Sequence, residues 1–142
     1  MKIFICNVCG HIEFGKKPDK CPVCFAPATA FKQNDNIFKE SEEKSKEAAV
    51  KHIPVVQVVD ECGLIPEESC TDVLVRIGEK LHPMLSEHFI QFIDCYVDDV
   101  YVSRIMLTPK MNPSVVFHLK EKGNKITIVE NCNIHGYWMK DA

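Results

Sequence analysis

The sequence predicts a mainly β protein in two parts: a small four-cysteine knuckle, then a β-sandwich of immunoglobulin-like type. Three observations predict it. Two C-x2-C pairs stand eleven residues apart at the front of the chain. Six or seven β-branched or alternating runs, spaced by turn-formers, fill residues 51–142. No convincing helical period interrupts them.

The front part spans residues 1–36. Cys6-Asn7-Val8-Cys9-Gly10 and Cys21-Pro22-Val23-Cys24 each form a turn that aims two sulfurs at one point. Such a doubled motif suits a closed tetrahedral site of four sulfurs. So short a segment cannot bury an adequate core, so a metal would hold it together. His11 lies between the knuckles. Four cysteines suffice without it, so it reads as a surface loop residue. Residues 37–50 hold Glu40, Glu42, Glu43, Lys44, Lys46 and Glu47 among few apolar residues. They read as a solvated spacer or a short exposed helix.

The runs of the second part are Ile53–Val59, Asp72–Ile77, Phe89–Val97, Val100–Leu107, Ser114–Leu119 and Lys125–Glu130. Asp98-Asp99, Pro109 with Asn112-Pro113, and Gly123-Asn124 punctuate them. Cys95 alternates with Ile93 and Val97 and belongs in the core. His118 sits inside a strand, opposite Phe117, and reads as structural. Cys62 and Cys70 flank Gly63-Leu64-Ile65-Pro66 and are expected as free thiols in a reducing compartment. His52, His82, His88 and His135 lie at strand starts or in irregular stretches. Cys132 stands three residues before His135, and Gly136 frees the backbone to turn. A sulfur and a nitrogen donor on a tight turn suit a transition metal.

The totals exclude several classes. The 142 residues are 46% hydrophobic and 26% charged, with net charge −3. No Lys/Arg cluster offers a nucleic-acid face, and no apolar run reaches membrane-spanning length. The first five residues are too short for a signal peptide, so a cytoplasmic protein is expected. The eight cysteines then point to metal sites before disulfides.

Phe4 to Gly10 and Pro18 to Cys24, with Phe14 and Phe31, resemble the short rubredoxin found at the end of rubrerythrins. That resemblance implies an Fe(Cys)4 centre held by Cys6, Cys9, Cys21 and Cys24, although zinc ribbons share the spacing. Lys51-His52-Ile53-Pro54-Val55, His82-Pro83-Met84 with Glu87-His88-Phe89-Ile90, and Cys132 to Trp138 together resemble the superoxide reductases, neelaredoxins and desulfoferrodoxins. This second resemblance spans residues 51–142. It implies a seven-stranded sandwich with one non-haem Fe(His)4(Cys) site. His52, His82, His88 and His135 would be its equatorial ligands and Cys132 its axial thiolate. The implied reaction is one-electron reduction of superoxide to hydrogen peroxide, with the front iron as electron relay. Lys51 beside His52 would add to the attraction of a net positive site for the superoxide anion. Expected partners are superoxide, a donor such as rubredoxin or a rubredoxin reductase, and further copies of this chain; no nucleic acid or membrane is expected. Two departures stand out. Val50 occupies the place where many members carry Glu, and the front cysteines are of the separated rubredoxin kind, not the adjacent desulforedoxin kind. Three other readings stay open: a zinc- or iron-binding module without catalysis, pure electron transfer, and a dismutase or peroxidase activity at the same iron.

Overall fold

A computed structural model describes residues 1–44 and 49–142. Part of the expected spacer, residues 45–48, lies outside the described residues. The front piece is a three-stranded antiparallel sheet in the order β2-β1-β3, from β1 (Ile3–Cys6), β2 (Ile12–Phe14) and β3 (Phe31–Gln33). Two helices follow, α1 (Ile37–Lys44) and the single turn α2 (Ala49–His52). The sandwich then uses seven strands: β4 (Pro54–Val59), β5 (Thr71–Ile77), β6 (Ile90–Val97), β7 (Val100–Met106), β8 (Ser114–Leu119), β9 (Ile126–Cys132) and β10 (Gly136–Asp141). One sheet runs β10-β9-β6-β7, the other β4-β5-β8. Among the described residues no helix is long and apolar enough to cross a membrane.

The main core lies between these two sheets. Val73, Val75 and Ile77 of β5 and Val115, Phe117 and Leu119 of β8 meet Ile93 and Cys95 of β6 and Ile126 and Ile128 of β9. In β8 the alternation is strict, with Ser114, Val116 and His118 outward, because that sheet has one wet face. The hairpin β6–β7 turns at Asp98 and Asp99, both at positive φ (49° and 66°), as a tight two-residue turn requires. The Asp98 carboxylate accepts the N–H groups of Asn124 and Lys125 and pins the neighbouring loop.

β9 is buried at all seven positions. Its odd-numbered face does not meet water, because the front piece covers it. Ile3 and Ile12 pack with Tyr96 of β6 and Val129 of β9, and Ile5, Phe14, Ile37 and Phe38 close around them. Residues 37–44 therefore differ from a free solvated spacer: Ile37 and Phe38 enter this shared cluster, and Ser41 is buried. His11 also differs from expectation. It is fully buried, 2.6 Å from Glu13 Oε2 and stacked on Tyr96 at 6.0 Å between centroids. Docking on the sandwich removes it from the surface. Across the same contact Arg104 donates to both carboxylate oxygens of Asp94 (2.7 and 2.8 Å) and to the Cys9 carbonyl (2.8 Å). The Tyr96 hydroxyl donates to the Ile12 carbonyl at 2.7 Å.

Cys62 and Cys70 form a disulfide, with Cα atoms 5.4 Å apart. This corrects the expectation of free thiols: the loop between β4 and β5 folds back and brings the two side chains together. Cys95 is fully buried in the core as expected. The C-terminal strand β10 goes beyond the runs legible in the sequence. It pairs with β9 from Gly136↔Cys132 to Asp141↔Thr127.

Candidate metal centres

The front site comes from two knuckles, and the backbone builds both. The N–H of Gly10 bonds the Cys6 carbonyl, and that of Phe25 bonds the Cys21 carbonyl. Gly10 and Phe25 sit at positive φ to close these turns. All four sulfurs fall within one cluster: Cys6 to Cys24 is 3.7 Å and Cys9 to Cys21 is 3.6 Å. A tetrahedral ion with metal–sulfur bonds of about 2.3 Å would hold its sulfurs about 3.8 Å apart. The spacing therefore fits a four-thiolate metal. Burial pushes the thiols of Cys9 and Cys21 up, while backbone N–H groups oppose it, from His11 on Cys9 and from Cys24 and Val23 on Cys21. At Cys24 the N–H of Ala26 prevails and lowers the thiol. These donors favour the thiolate form that a metal needs.

The second site gathers at one end of the sandwich. α2 delivers Lys51 and His52, the loop after β5 delivers His82 and His88, and the β9–β10 turn delivers Cys132 and His135. Donor atoms of His52, His88, Cys132 and His135 lie within 4.8 Å of one another. His82 joins them ring to ring, 4.5 Å from His52 and 4.7 Å from His88 between centroids. His52 Nε2 is 3.2 Å from His135 Nδ1, and Cys132 Sγ is 3.9 Å from that same nitrogen.

The other nitrogen of two rings is already engaged. His82 Nδ1 donates to the Pro83 carbonyl at 2.6 Å. His52 Nδ1 faces Glu130 Oε1 at 3.3 Å. The Nε2 atoms of His82 and His88 are buried and have no hydrogen-bond partner. Buried polar nitrogens are normally satisfied. Two left bare beside a thiol and two further imidazoles fit a site for one soft or borderline cation. Burial lowers His52 to about 3 and His82 to about 4, with their neighbours and the Lys51 charge adding to it. His88 is lowered in the same way. Neutral imidazoles are the ligating form. Burial raises the Cys132 thiol, while the N–H groups of His135 and Ile134 lower it.

Several supporting residues were not legible as such. Glu130 is fully buried, and burial alone pushes its carboxyl well above the ordinary range. Trp138 pairs with it across the strands and stacks on His52 at 4.9 Å and 9°. The Trp138 indole donates to the His135 carbonyl at 3.1 Å. Gly78, at φ +86°, lets the chain pass under the Lys51 carbonyl, where a Cβ would sit 2.6 Å away. A Glu or Trp in a hydrophobic strand was the only signal available. Glu87 is exposed, bonded to Ser86, and acts on His88 only through its charge. Val50 is exposed, and its carbonyl accepts from the Lys80 N–H.

The two sites are joined through one side chain. The Tyr137 hydroxyl donates to the Gly10 carbonyl at 2.8 Å, next to Cys9. The Tyr137 N–H is held by Ser41 Oγ at 3.1 Å, and Tyr137 follows His135 by two residues. Both approaches need glycine: a Cβ on Gly10 would meet the Tyr137 hydroxyl at 2.8 Å, and one on Gly136 would meet Ser41 Oγ at 2.7 Å.

Comparison with known proteins agrees with this arrangement. The family model described as desulfoferrodoxin matches residues 41–141. The chain belongs to the desulfoferrodoxin family. A second model, rubrerythrin, rubredoxin-like domain, matches residues 4–32. Desulfoferrodoxin of Desulfarculus baarsii is 30% identical over 139 residues, covering 97% of this chain and 94% of that protein. The desulfoferrodoxin homolog of Methanothermobacter thermautotrophicus is 32% identical over 140 residues, covering 96% and 95%. The crystal structure of the superoxide reductase from Treponema pallidum superposes with a TM-score of 0.53 at 30% identity, covering 66% of this chain and 68% of that one. The mainly β reading, the rubredoxin-like front piece and the family resemblance thus hold.

Proposed function

We propose that this chain is a superoxide reductase with iron in both sites, organised as residues 1–36, 37–50 and 51–142. The observation that carries it is the pair of bare, buried Nε2 atoms of His82 and His88: His88 shares a donor cluster with His52, His135 and Cys132, and the His82 ring packs on those of His52 and His88. The superoxide reductases among similar structures support the reading. Iron held by His52, His82, His88, His135 and Cys132 would supply the single electron that, with two protons, turns superoxide into hydrogen peroxide.

The chain's own residues do the rest. Exposed Lys51 raises the potential at the mouth of the site and draws in the anion. Water held by its ammonium is the proton relay. The N–H groups of His135 and Ile134 favour the Cys132 thiolate against the burial that raises the thiol, and a bound metal would complete its deprotonation. Trp138 and Glu130 fix the plane and tautomer of His52. Cys6, Cys9, Cys21 and Cys24 hold the relay iron. The Gly10–Tyr137 hydrogen bond offers the electron a path within one chain, broken by a single non-covalent step. An external donor such as a rubredoxin or its reductase refills the front site. The expected setting is the cytoplasm, with chains associating in homo-oligomers.

The test is metal content and visible absorption on anaerobically purified protein, with superoxide consumption and oxygen yield. Two irons per chain, peroxide without oxygen, and a red-region thiolate band lost in Cys132→Ser support the reading. Zinc in the front site would keep the enzyme and remove the relay. Zinc in both would leave a metal-binding module and refute the reductase. Oxygen release would mean dismutation instead.

A further inference from the structure

Away from both sites, the loop between β4 and β5 meets the outer face of β8. Cys62 is buried and Cys70 half-buried, joined as a disulfide. Asp72 and His118 are cross-strand partners on β5 and β8. Asp72 Oδ1 lies 2.6 Å from His118 Nδ1. The two sulfurs, an imidazole nitrogen and a carboxylate oxygen of this group all lie within 4.8 Å of one another. A structural disulfide needs neither an imidazole nor a carboxylate against it. The Asp72 carboxylate accepts from Nδ1–H, which orients the ring and leaves Nε2 with its lone pair, as in carboxylate–histidine–zinc arrangements. Beside the pair lies an open hollow of about 950 Å³, bordered by Cys62, Cys70, Asp72 and Lys120.

We propose that in its dithiol form this cluster is a third metal site. It takes zinc or a similar borderline divalent cation through Cys62, Cys70 and His118, with Asp72 as the positioning residue. Two thiolates and an imidazole leave the fourth place to water, a set that suits tetrahedral zinc. Disulfide formation then expels the cation, because a disulfide sulfur is no longer a thiolate ligand. Oxidation of the metal-bound form takes two electrons from the two thiolates and forms one S–S bond as the cation leaves. A hydroperoxide is the oxidant; with hydrogen peroxide the O–O bond breaks and, with two protons taken from solvent, two waters form. A dithiol reductant reverses the step by thiol–disulfide exchange. Only the local source of peroxide rests on the superoxide reductase reading.

The experiment uses the full iron-loaded chain, reduced with a phosphine, desalted and titrated with Co²⁺ as a spectroscopic stand-in for zinc. Expected is one further cobalt per chain with sulfur-to-cobalt charge-transfer bands, absent in Cys62→Ser/Cys70→Ser. Asp72→Asn should weaken the uptake by about 10- to 100-fold, the usual effect of losing a carboxylate behind a ligating histidine. Added hydrogen peroxide should release that cobalt and remove two free thiols per chain. No further cobalt, or equal uptake by the double serine variant, would overturn the site. Cobalt retained after the thiols are lost would overturn the expulsion. Superoxide consumption by the same samples separates these outcomes from failure of the reductase reading, since neither cysteine belongs to that machinery.

Discussion

Replacing Arg104 by Leu tests what fastens the front piece to the sandwich. The guanidinium makes two hydrogen bonds to Asp94 at 2.7 and 2.8 Å and one to the Cys9 carbonyl at 2.8 Å, and lies 3.5 Å from the Phe92 ring centre. Asp94 is fully buried. With Arg104 gone, a carboxylate would stay buried with, among the described residues, only His11 as a nearby cation, 4.0 Å away and charged only when protonated. Removing one partner of a buried pair costs about 3–5 kcal/mol. That is a large share of a stability of about 5–15 kcal/mol. Burial already pushes the Asp94 carboxyl up, with Arg104 opposing it. In the variant that opposition is lost, so the folded state binds a proton at higher pH than the unfolded state. The deficit is therefore full near neutral pH and shrinks as pH falls. The assay is urea unfolding of the metal-loaded protein, followed by Trp138 fluorescence, at pH 7 and pH 5. The double variant Asp94→Leu/Arg104→Leu should recover much of the loss, because no lone charge remains. A single-variant loss below about 1 kcal/mol, in the range of an exposed ion pair, would refute the reasoning. So would a deficit that grows on acidification.

Three further outcomes are expected. Gly78→Ala places a Cβ 2.2 Å from the Lys80 carbonyl at φ +86°, so it should destabilise the chain and shift the His52-bearing turn, read as a lower melting temperature and lower iron retention together. Glu130→Gln should lower metal affinity at the imidazole–thiolate site by about 10- to 100-fold while leaving the four-sulfur site unchanged, measured by competition with a chelator. His52 and His82 are held near 3 and 4 in the fold, below their unfolded value near 6.5. The unfolded chain thus binds more protons between those values, and the metal-free protein should lose stability as pH falls below about 6.5; a flat urea midpoint from pH 7 to 5 would contradict this.

The ligand motifs and one-sided strands were legible because their signals are local. β5 and β8 alternate because water lies on one side of them. β9 shows no such alternation, and even its Thr127, Glu130 and Asn131 are buried, because both its faces are covered. His11 looked like a surface residue because nothing nearby in sequence announces Tyr96 or Asp94, more than eighty positions away. The role of Glu130 is hidden for the same reason: its partner His52 lies 78 residues upstream. α1 carries enough charge to read as solvated, yet Ile37 and Phe38 at its start decide where it packs. Cys62 and Cys70 depended on a loop conformation that spacing does not encode.

The sheet β10-β9-β6-β7 has no wet face along its central strands, since the front piece occupies it. Cut away residues 1–36, and Phe92, Tyr96 and Val129 would meet water together, with Asp94 among them. Such a patch invites self-association. To stand alone, the sandwich would first have to repaint that side with polar residues. The front piece is thus no detachable accessory; the composition of the strands beneath it is already committed to its presence.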